Sequence, residues 1–351
     1  MPINLAVATR DLIRGGVQEE VYRRMAFIDE LQKRKQIITA GGTAISKNVD
    51  YAEVDDLAQS YKTGEALTDG EKTMLAKASF NWKKTQIPVK YDGDVEIQNM
   101  GAASDEQLID LAEYLATKAT RGMKLKLEKM IANAGSTTTT DYNDTGANFN
   151  SMVHALKHVT TTEKYGNIAR GITAGKNNWW QGADVGQIIQ NVAEGTAPAA
   201  SSQATAVNLT LANLRQWIIP VQHSIRAKKD LMVVMCPTLF NKLKAECQAQ
   251  MIYEPSKDTA NVGFNKMYVD GHQIADWDYL ETSSTMKKWV FIINLDTWEL
   301  HFNKARNFKM TSFKWAGELP NGYDYYLARI LLAGNLCCWQ PNANLFLSNV
   351  S

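Results

Sequence analysis

Residues 105 to about 134 read as one unbroken helix, and few compact domains have use for a rod of that length. Ser104 with Gln107 three residues later forms a capping box, in which each side chain satisfies a backbone donor at the helix start. Gly135 and the polar run from 136 to 140 stop it. At ~1.5 Å per residue the rod is roughly 45 Å long. Residues placed at 100° steps show an apolar face that shifts along it. Leu108, Leu111, Leu115 and Ala119 share one side, and Met123, Leu127, Met130 and Ile131 share a rotated one. In the second half Lys118, Arg121, Lys126 and Lys129 fall in one arc opposite the apolar group, with Glu128 beside them. The arc fits a solvated helix face, and it is also the best place in the chain for touching phosphate.

What precedes this rod is irregular. Residues 1 to 16 form an arm ending in Gly15 and Gly16, and a helix is expected from 17 to about 35, with Val17, Val21, Met25, Ile28 and Leu31 along one stripe. Its basic opposite face reads as solvated. Two extended limbs, 36 to 49 and 81 to 100, enclose a polar middle, and Val89, Tyr91, Val95 and Ile97 alternate as in a strand. The limbs are expected to pair as a long arm. Two short helices are expected between them, one starting at Asp50 with Glu53 and one at Thr68 with Glu71. Such an arm cannot bury much of itself, so neighbouring subunits are its expected support.

After the rod, a helix from about 149 to 159 carries His154 and His158. Two histidines four apart can place two metal ligands on one face, yet no third ligand is evident and the glutamate of HExxH is missing. No metal is expected. Gly171, Gly175 and Lys176 imitate a phosphate loop, but the spacing is one residue short and Asn177 stands where Ser or Thr is required. The adjacent Trp179 and Trp180 read as the anchor of a loop onto a core or a neighbour. Residues 195 to 206 (GTAPAASSQATA) are linker-like. Beyond them Leu211, Leu214, Trp217 and Ile218 begin a helix that Pro220 kinks or breaks, and LMVVMC at 231 to 236 reads as a buried strand feeding a helix that opens at Pro237. Asp270-Gly271 and Asn321-Gly322 mark hairpins, and further strands are expected at 289 to 294, 297 to 302, 308 to 315 and 323 to 339.

Composition limits the chemistry. The 351 residues are 45% hydrophobic, enough for one large domain or two to three small ones. Lys plus Arg (38) nearly cancel Asp plus Glu (37), so attraction to nucleic acid has to come from a local patch. The four cysteines, at 236, 247, 337 and 338, lack zinc spacing and read as reduced thiols in a cytosolic setting, and no stretch reads as a signal peptide or membrane span. There is no nucleophile elbow and no dinucleotide fingerprint. Asp276, Asp278 and Glu281 are carboxylates whose spacing specifies no site. No enzyme and no cofactor are expected.

The order of these parts resembles the major capsid protein of tailed bacteriophages, with the Hong Kong 97 fold. The local texture agrees in NNWWQG at 177 to 182, LMVVMCPTLFNKL at 231 to 243, VDGHQIAD at 269 to 276 and WVFIIN at 289 to 294. The resemblance covers essentially the whole chain. It implies an α+β fold divided into an N-terminal arm and helix (1 to 35), an extended E-loop with a helical insertion (36 to 100), a peripheral domain (101 to 206) holding the spine helix at 104 to 134, an axial domain (207 to 285), and returning strands (286 to 351). It implies self-assembly into pentamers and hexamers of an icosahedral shell around double-stranded DNA, in a virion assembled in the host cytoplasm, with no membrane. Partners so implied are a scaffolding protein separate from the chain, a portal protein, the packaged DNA and, where a shell carries one, a decoration protein. Inter-subunit contacts are then expected at Tyr51, Tyr61, Trp82, Lys83 and Lys84, inner-face DNA contacts at Lys118, Arg121, Lys126 and Lys129, and hinges at Gly41, Gly42 and Gly101. Some relatives cross-link a loop lysine to an asparagine; no pattern selects one among Lys47, Lys62, Lys72 and Lys77, and none is expected here. Encapsulins, which enclose an enzyme cargo, share the fold and form the alternative reading. A cytosolic α/β enzyme is a third, which predicts a small oligomer and a defined small-molecule pocket.

Overall fold

The computed structural model describes residues 26–51, 57–65, 70–94, 111–132, 146–157, 163–170, 178–180, 182, 207–223, 231–247, 267–315 and 324–351. In chain order the elements are α1 (Ala26–Lys33), β1 (Ile37–Ala40), β2 (Ala44–Asp50), β3 (Leu75–Asn81), β4 (Lys83–Asp92), α2 (Leu111–Ala132), α3 (Met152–Leu156), β5 (Glu163–Tyr165) and β6 (Ile168–Arg170). They continue with α4 (Leu211–His223), β7 (Leu231–Met235), α5 (Pro237–Cys247), β8 (Met267–Val269), β9 (His272–Asp276), β10 (Val290–Asn294), β11 (Trp298–Asn303), β12 (Lys309–Met310), β13 (Lys314–Trp315), β14 (Tyr325–Cys338) and β15 (Leu345–Leu347).

A six-stranded sheet is built around β14. Along one side β4 pairs with it from Tyr325↔Asp92 to Gly334↔Lys83, and along the other side β13, β12 and β11 follow in turn, with β1 parallel to β11. Period-two alternation then separates two faces. Ala328, Ile330 and Leu332 are buried on the face shared with Ile87 and Val89, while Arg329 and the even residues of β4 point the other way. Helix α2 lies on the buried face, where the Thr85 hydroxyl meets the Met130 sulfur at 3.8 Å. Met123, Leu127, Met130 and Ile131 are buried there, as the rotated apolar side predicts. β4 is protected against pairing with another chain by Pro88, which has no N–H to donate, and by exposed Lys84 and Lys90.

A five-stranded sheet in the order β15-β10-β7-β9-β8 forms the second layer system. Every residue of β7 (LMVVM) and β10 (VFIIN) is buried, which is why both read as continuous apolar runs. The β8–β9 hairpin turns through Asp270 (φ 50°) and Gly271 (φ 84°), the two positive dihedrals that a tight primed turn demands. Helix α4 runs through Pro220 to His223 rather than breaking there.

Three expectations are corrected. The limbs 36 to 49 and 81 to 100 do not pair with each other: β2 pairs with β3, from Ala44↔Asn81 to Asp50↔Leu75, while β1 joins β11 and β4 joins β14. No helix follows the Thr68 and Glu71 signal, since residues 71–74 are irregular and 75–81 are strand, where Ala78 and Phe80 alternate with exposed Lys77 and Asn81. Glu128 is not a solvated neighbour of the basic arc; it is 1% exposed and accepts a 2.6 Å hydrogen bond from the Trp277 indole. The start at Asp50 with Glu53, Gly101, His158 and the linker at 195 to 206 lie wholly or partly outside the described residues.

Candidate functional site

The β2–β3 hairpin is locked at its base and, among the described residues, exposes large apolar side chains towards its other end. At the base Ile45, Ala78 and Phe80 are buried. Phe80 packs edge-on against Tyr165 (5.0 Å between ring centroids) and Trp339 (5.4 Å). Gly166, at φ 59°, gives its carbonyl to Ser79 N–H at 2.8 Å, and a Cβ there would sit 2.7 Å from the Phe80 ring, so only glycine fits the turn between β5 and β6. Trp82 donates its indole N–H to the Gly42 carbonyl at 2.9 Å, Asn335 donates to the Asn81 carbonyl at 3.0 Å, and Lys83 donates to the Gly146 carbonyl. Gly42 itself holds φ 107° in the turn between β1 and β2, and Gly41 has open space around it.

Charge completes the lock. Lys47 on β2 reaches Glu299 at 3.4 Å and lies over the Trp339 ring at 5.2 Å, and His301 meets the same carboxylate at 2.9 Å. Burial pushes the Glu299 carboxyl up, but the hydrogen bond with His301, the neighbouring Trp339 indole and the charge of Lys47 outweigh it and hold the pKa at about 2. A second buried cluster stiffens the platform beneath. Arg170, fully buried, donates to the carbonyls of Ala155 (2.9 Å) and His154, and its guanidinium lies 5.3 Å from the Tyr165 ring centroid. Glu163 pairs with Lys157 at 2.9 Å and His154 at 3.3 Å. Burial raises its pKa, and the His154 contact, with Lys157 and Arg170, brings it down to about 2.

The tryptophan pair divides its work. Trp180 is fully buried and donates to the Tyr165 carbonyl at 2.7 Å, whereas Trp179 lies stacked on Tyr51 at the end of the hairpin, 4.6 Å apart and 5° from parallel. Gly182 passes so near the Leu156 carbonyl that a Cβ would sit 2.3 Å from it. Tyr61 (64% exposed), Leu75 (61%), Met74 (43%), Leu57 (41%) and Tyr51 (36%) put five large apolar side chains into solvent over a short stretch.

Other sequence candidates fall elsewhere. Lys83 is withdrawn from the expected inter-subunit contacts, because its side chain is buried in its own chain; Lys84 is exposed and Trp82 half-buried. On α2, Lys129 is exposed, and Lys118, Arg121 and Lys126 are half-buried. Among the described residues no group of three His, Cys, Asp or Glu could hold a metal. Cys337 and Cys338 are buried, and burial pushes the Cys338 thiol up to about 12, far from a nucleophile. Glu281 pairs with Lys287 at 2.8 Å, which lowers its pKa, and accepts from the Thr238 hydroxyl at 2.9 Å, so it ties down the start of α5. No helix among the described residues is long and apolar enough to cross a membrane.

No family profile and no curated protein matches the sequence. Solved structures do. The chain is similar to the capsid protein of cyanophage A-1(L), with a TM-score of 0.63 at 13% identity over 99% of both chains. It is similar to that of cyanophage Pam1, with a TM-score of 0.57 at 11% identity over 98% of this chain and 97% of that one. It is also similar to the holo-SrpI encapsulin of Synechococcus elongatus PCC 7942, with a TM-score of 0.51 at 11% identity over 98% and 95%. Agreement over the full length at such low identity makes the architecture the common property: the chain has the α+β fold of tailed-phage capsid proteins.

Proposed function

We propose that this chain is the major capsid protein of a tailed phage, assembling in many copies into pentamers and hexamers of an icosahedral shell around double-stranded DNA. The observation that carries the reading is the hairpin: its base is fixed by Phe80, Lys47 and Trp82, while its tip exposes Tyr61, Met74 and Leu75. A monomer gains nothing from an anchored limb with an apolar end, whereas a shell multiplies one such contact around every ring. In this reading the E-loop is the narrower span 44 to 81, because that is where the pairing lies. The six-stranded sheet and α2 belong to the peripheral domain and the five-stranded sheet to the axial domain. Tyr51, Tyr61 and Lys84 are contacts to a neighbour, Trp179 and Trp180 anchor the hairpin end, and Gly41 and Gly42 form its hinge. Lys118, Arg121, Lys126 and Lys129 face the genome. A scaffolding protein and a portal protein act in assembly.

Electron microscopy of the purified chain tests this. Closed shells support it, and deletion of residues 52 to 73 is expected to leave a folded chain that closes none. A uniform small oligomer under all conditions contradicts it. The likeness to an encapsulin favours one second reading, a shell around an enzyme cargo, which the contents of the particles decide.

A further inference from the structure

Two of the chain's crossings between the sheets run side by side. β10 of the five-stranded sheet passes through 295–297 into β11 of the six-stranded sheet, and β14 returns through 339–344 into β15. Since β10 pairs with β15 and β11 with β14, all antiparallel, the two connections are neighbours that run in opposite directions. Asn344, fully buried, is bonded to both. Its Oδ1 accepts from the Asn294 backbone N–H at 2.8 Å and from the Trp298 indole at 2.9 Å, and its Nδ2 donates to the Thr297 hydroxyl at 3.0 Å and to the Gln340 carbonyl at 2.9 Å. A carboxamide has two lone pairs on oxygen and two N–H groups, and here each has a partner. The partners also dictate which way the amide points, because a backbone N–H and an indole only donate and a carbonyl only accepts.

Thr297 closes the network. Its hydroxyl donates to the Asn294 carbonyl at 2.8 Å, and its own carbonyl accepts from the Trp339 N–H at 2.8 Å. Trp298 in turn meets Phe27 of α1 edge-on, with 5.8 Å between ring centroids. Apolar packing between the sheets is non-directional and favours contact without selecting an angle, whereas hydrogen bonds from one rigid amide to both connections select one. A second tie, from the Trp277 indole after β9 to Glu128 on α2, joins the same two layers at another point. Two separate ties remove the rotation that a single tie leaves. We propose that Asn344 is the pin that sets the angle between the five-stranded and six-stranded sheets, and that the angle so fixed gives a shell of these copies one diameter. The consequence for diameter rests on the shell reading; the pin itself does not.

Hydrogen exchange on the full-length chain tests the pin before any substitution. The Trp298 indole proton and the amides of β10 and β14 are expected to exchange through one common opening, that of global unfolding, since a pinned junction releases neither sheet alone. Thr297→Val keeps the shape of the side chain and removes the hydroxyl. It is expected to unlink the sheets, so that exchange in β4 and β14, which have exposed residues, rises at least about tenfold over exchange in the fully buried β7. Asn344→Asp keeps both acceptors, loses both donors, and is expected to widen that gap; should it fail to fold, Thr297→Val decides. Particles of Thr297→Val are expected to spread over several diameters in electron micrographs where the unaltered chain gives one. Fast exchange of the indole in the unaltered chain, or equal acceleration in both sheets of Thr297→Val, as a merely structural role predicts, overturns the pin. Split exchange with one unchanged diameter overturns the consequence for the shell. Absence of shells from the unaltered chain overturns the shell reading and leaves the pin to the exchange result.

Discussion

The five-stranded sheet and the β2–β3 hairpin are made of the same backbone ladder and differ in what holds them. β7 and β10 bury every side chain between layers of their own chain, and at ~25 cal/mol per Å² of apolar area removed from water such strands stand without help. The hairpin buries Ile45, Ala78 and Phe80 near one end and, among the described residues, nothing comparable at the other. A two-stranded ribbon is marginal by itself. Its order therefore comes from the platform of Tyr165, Trp339 and Glu299 at the base and, in the proposed shell, from a neighbour at the tip. In the proposed shell, one region serves folding and the other assembly.

The sharpest way to separate them is to damage each. Ile292→Asp places an unpaired charge in the centre of β10 and is expected to prevent folding, since several kcal/mol exceeds much of a domain's stability. Phe80→Ala is expected to cost about 3 kcal/mol by removing the ring that joins the hairpin to Tyr165 and Trp339, read as a lower denaturant midpoint.

Acid probes the same base. The carboxyls of Glu299 and Glu163 ordinarily titrate at 4.5 and here at about 2, so their folded forms bind protons less readily than the unfolded chain. The stability they contribute is complete above about pH 4.5 and is lost as pH falls from there through about 2. Amide exchange in β2 and β3 is expected to accelerate over that window before exchange in β7 and β10 does. Equal acceleration in all four strands would remove the distinction between the regions. Lys47→Ala is expected to cost only about 1 kcal/mol, because the lysine is half exposed and solvent screens its pair. Smallest of all, Tyr61→Ser is expected to leave the melting midpoint within about 0.5 kcal/mol of wild type, the range for surface changes, while reducing shell yield.

What the sequence made legible follows the same division. LMVVMC, VFIIN and the Asp270-Gly271 turn declare themselves through short-range signals, and the rotated apolar side of the long helix located Met123, Leu127, Met130 and Ile131 correctly. The pairing of β2 with β3 was not legible. Thr68 and Glu71 offer a helix start, and only contacts with Tyr165 and Trp339, far away in sequence, make Phe80 part of a strand. Glu128 misleads for the same reason, since its partner Trp277 lies 149 positions away. Lys83 was expected at a neighbour as part of the extended loop that the resemblance implies, and the Gly146 carbonyl that accepts from it is invisible to any local pattern. The basic sheet face opposite α2, with Lys84, Lys90, Arg329, Lys309 and Lys314, is spread over four strands, so no window of sequence contains it.

The central claim is that the hairpin tip is an assembly surface. Electron microscopy of the unaltered chain beside Tyr61→Ser with Leu75→Ser tests it most directly. The account predicts closed shells from the first and, from the second, equally stable but unassembled protein. Shells from both, or a uniform small oligomer from both, would contradict it.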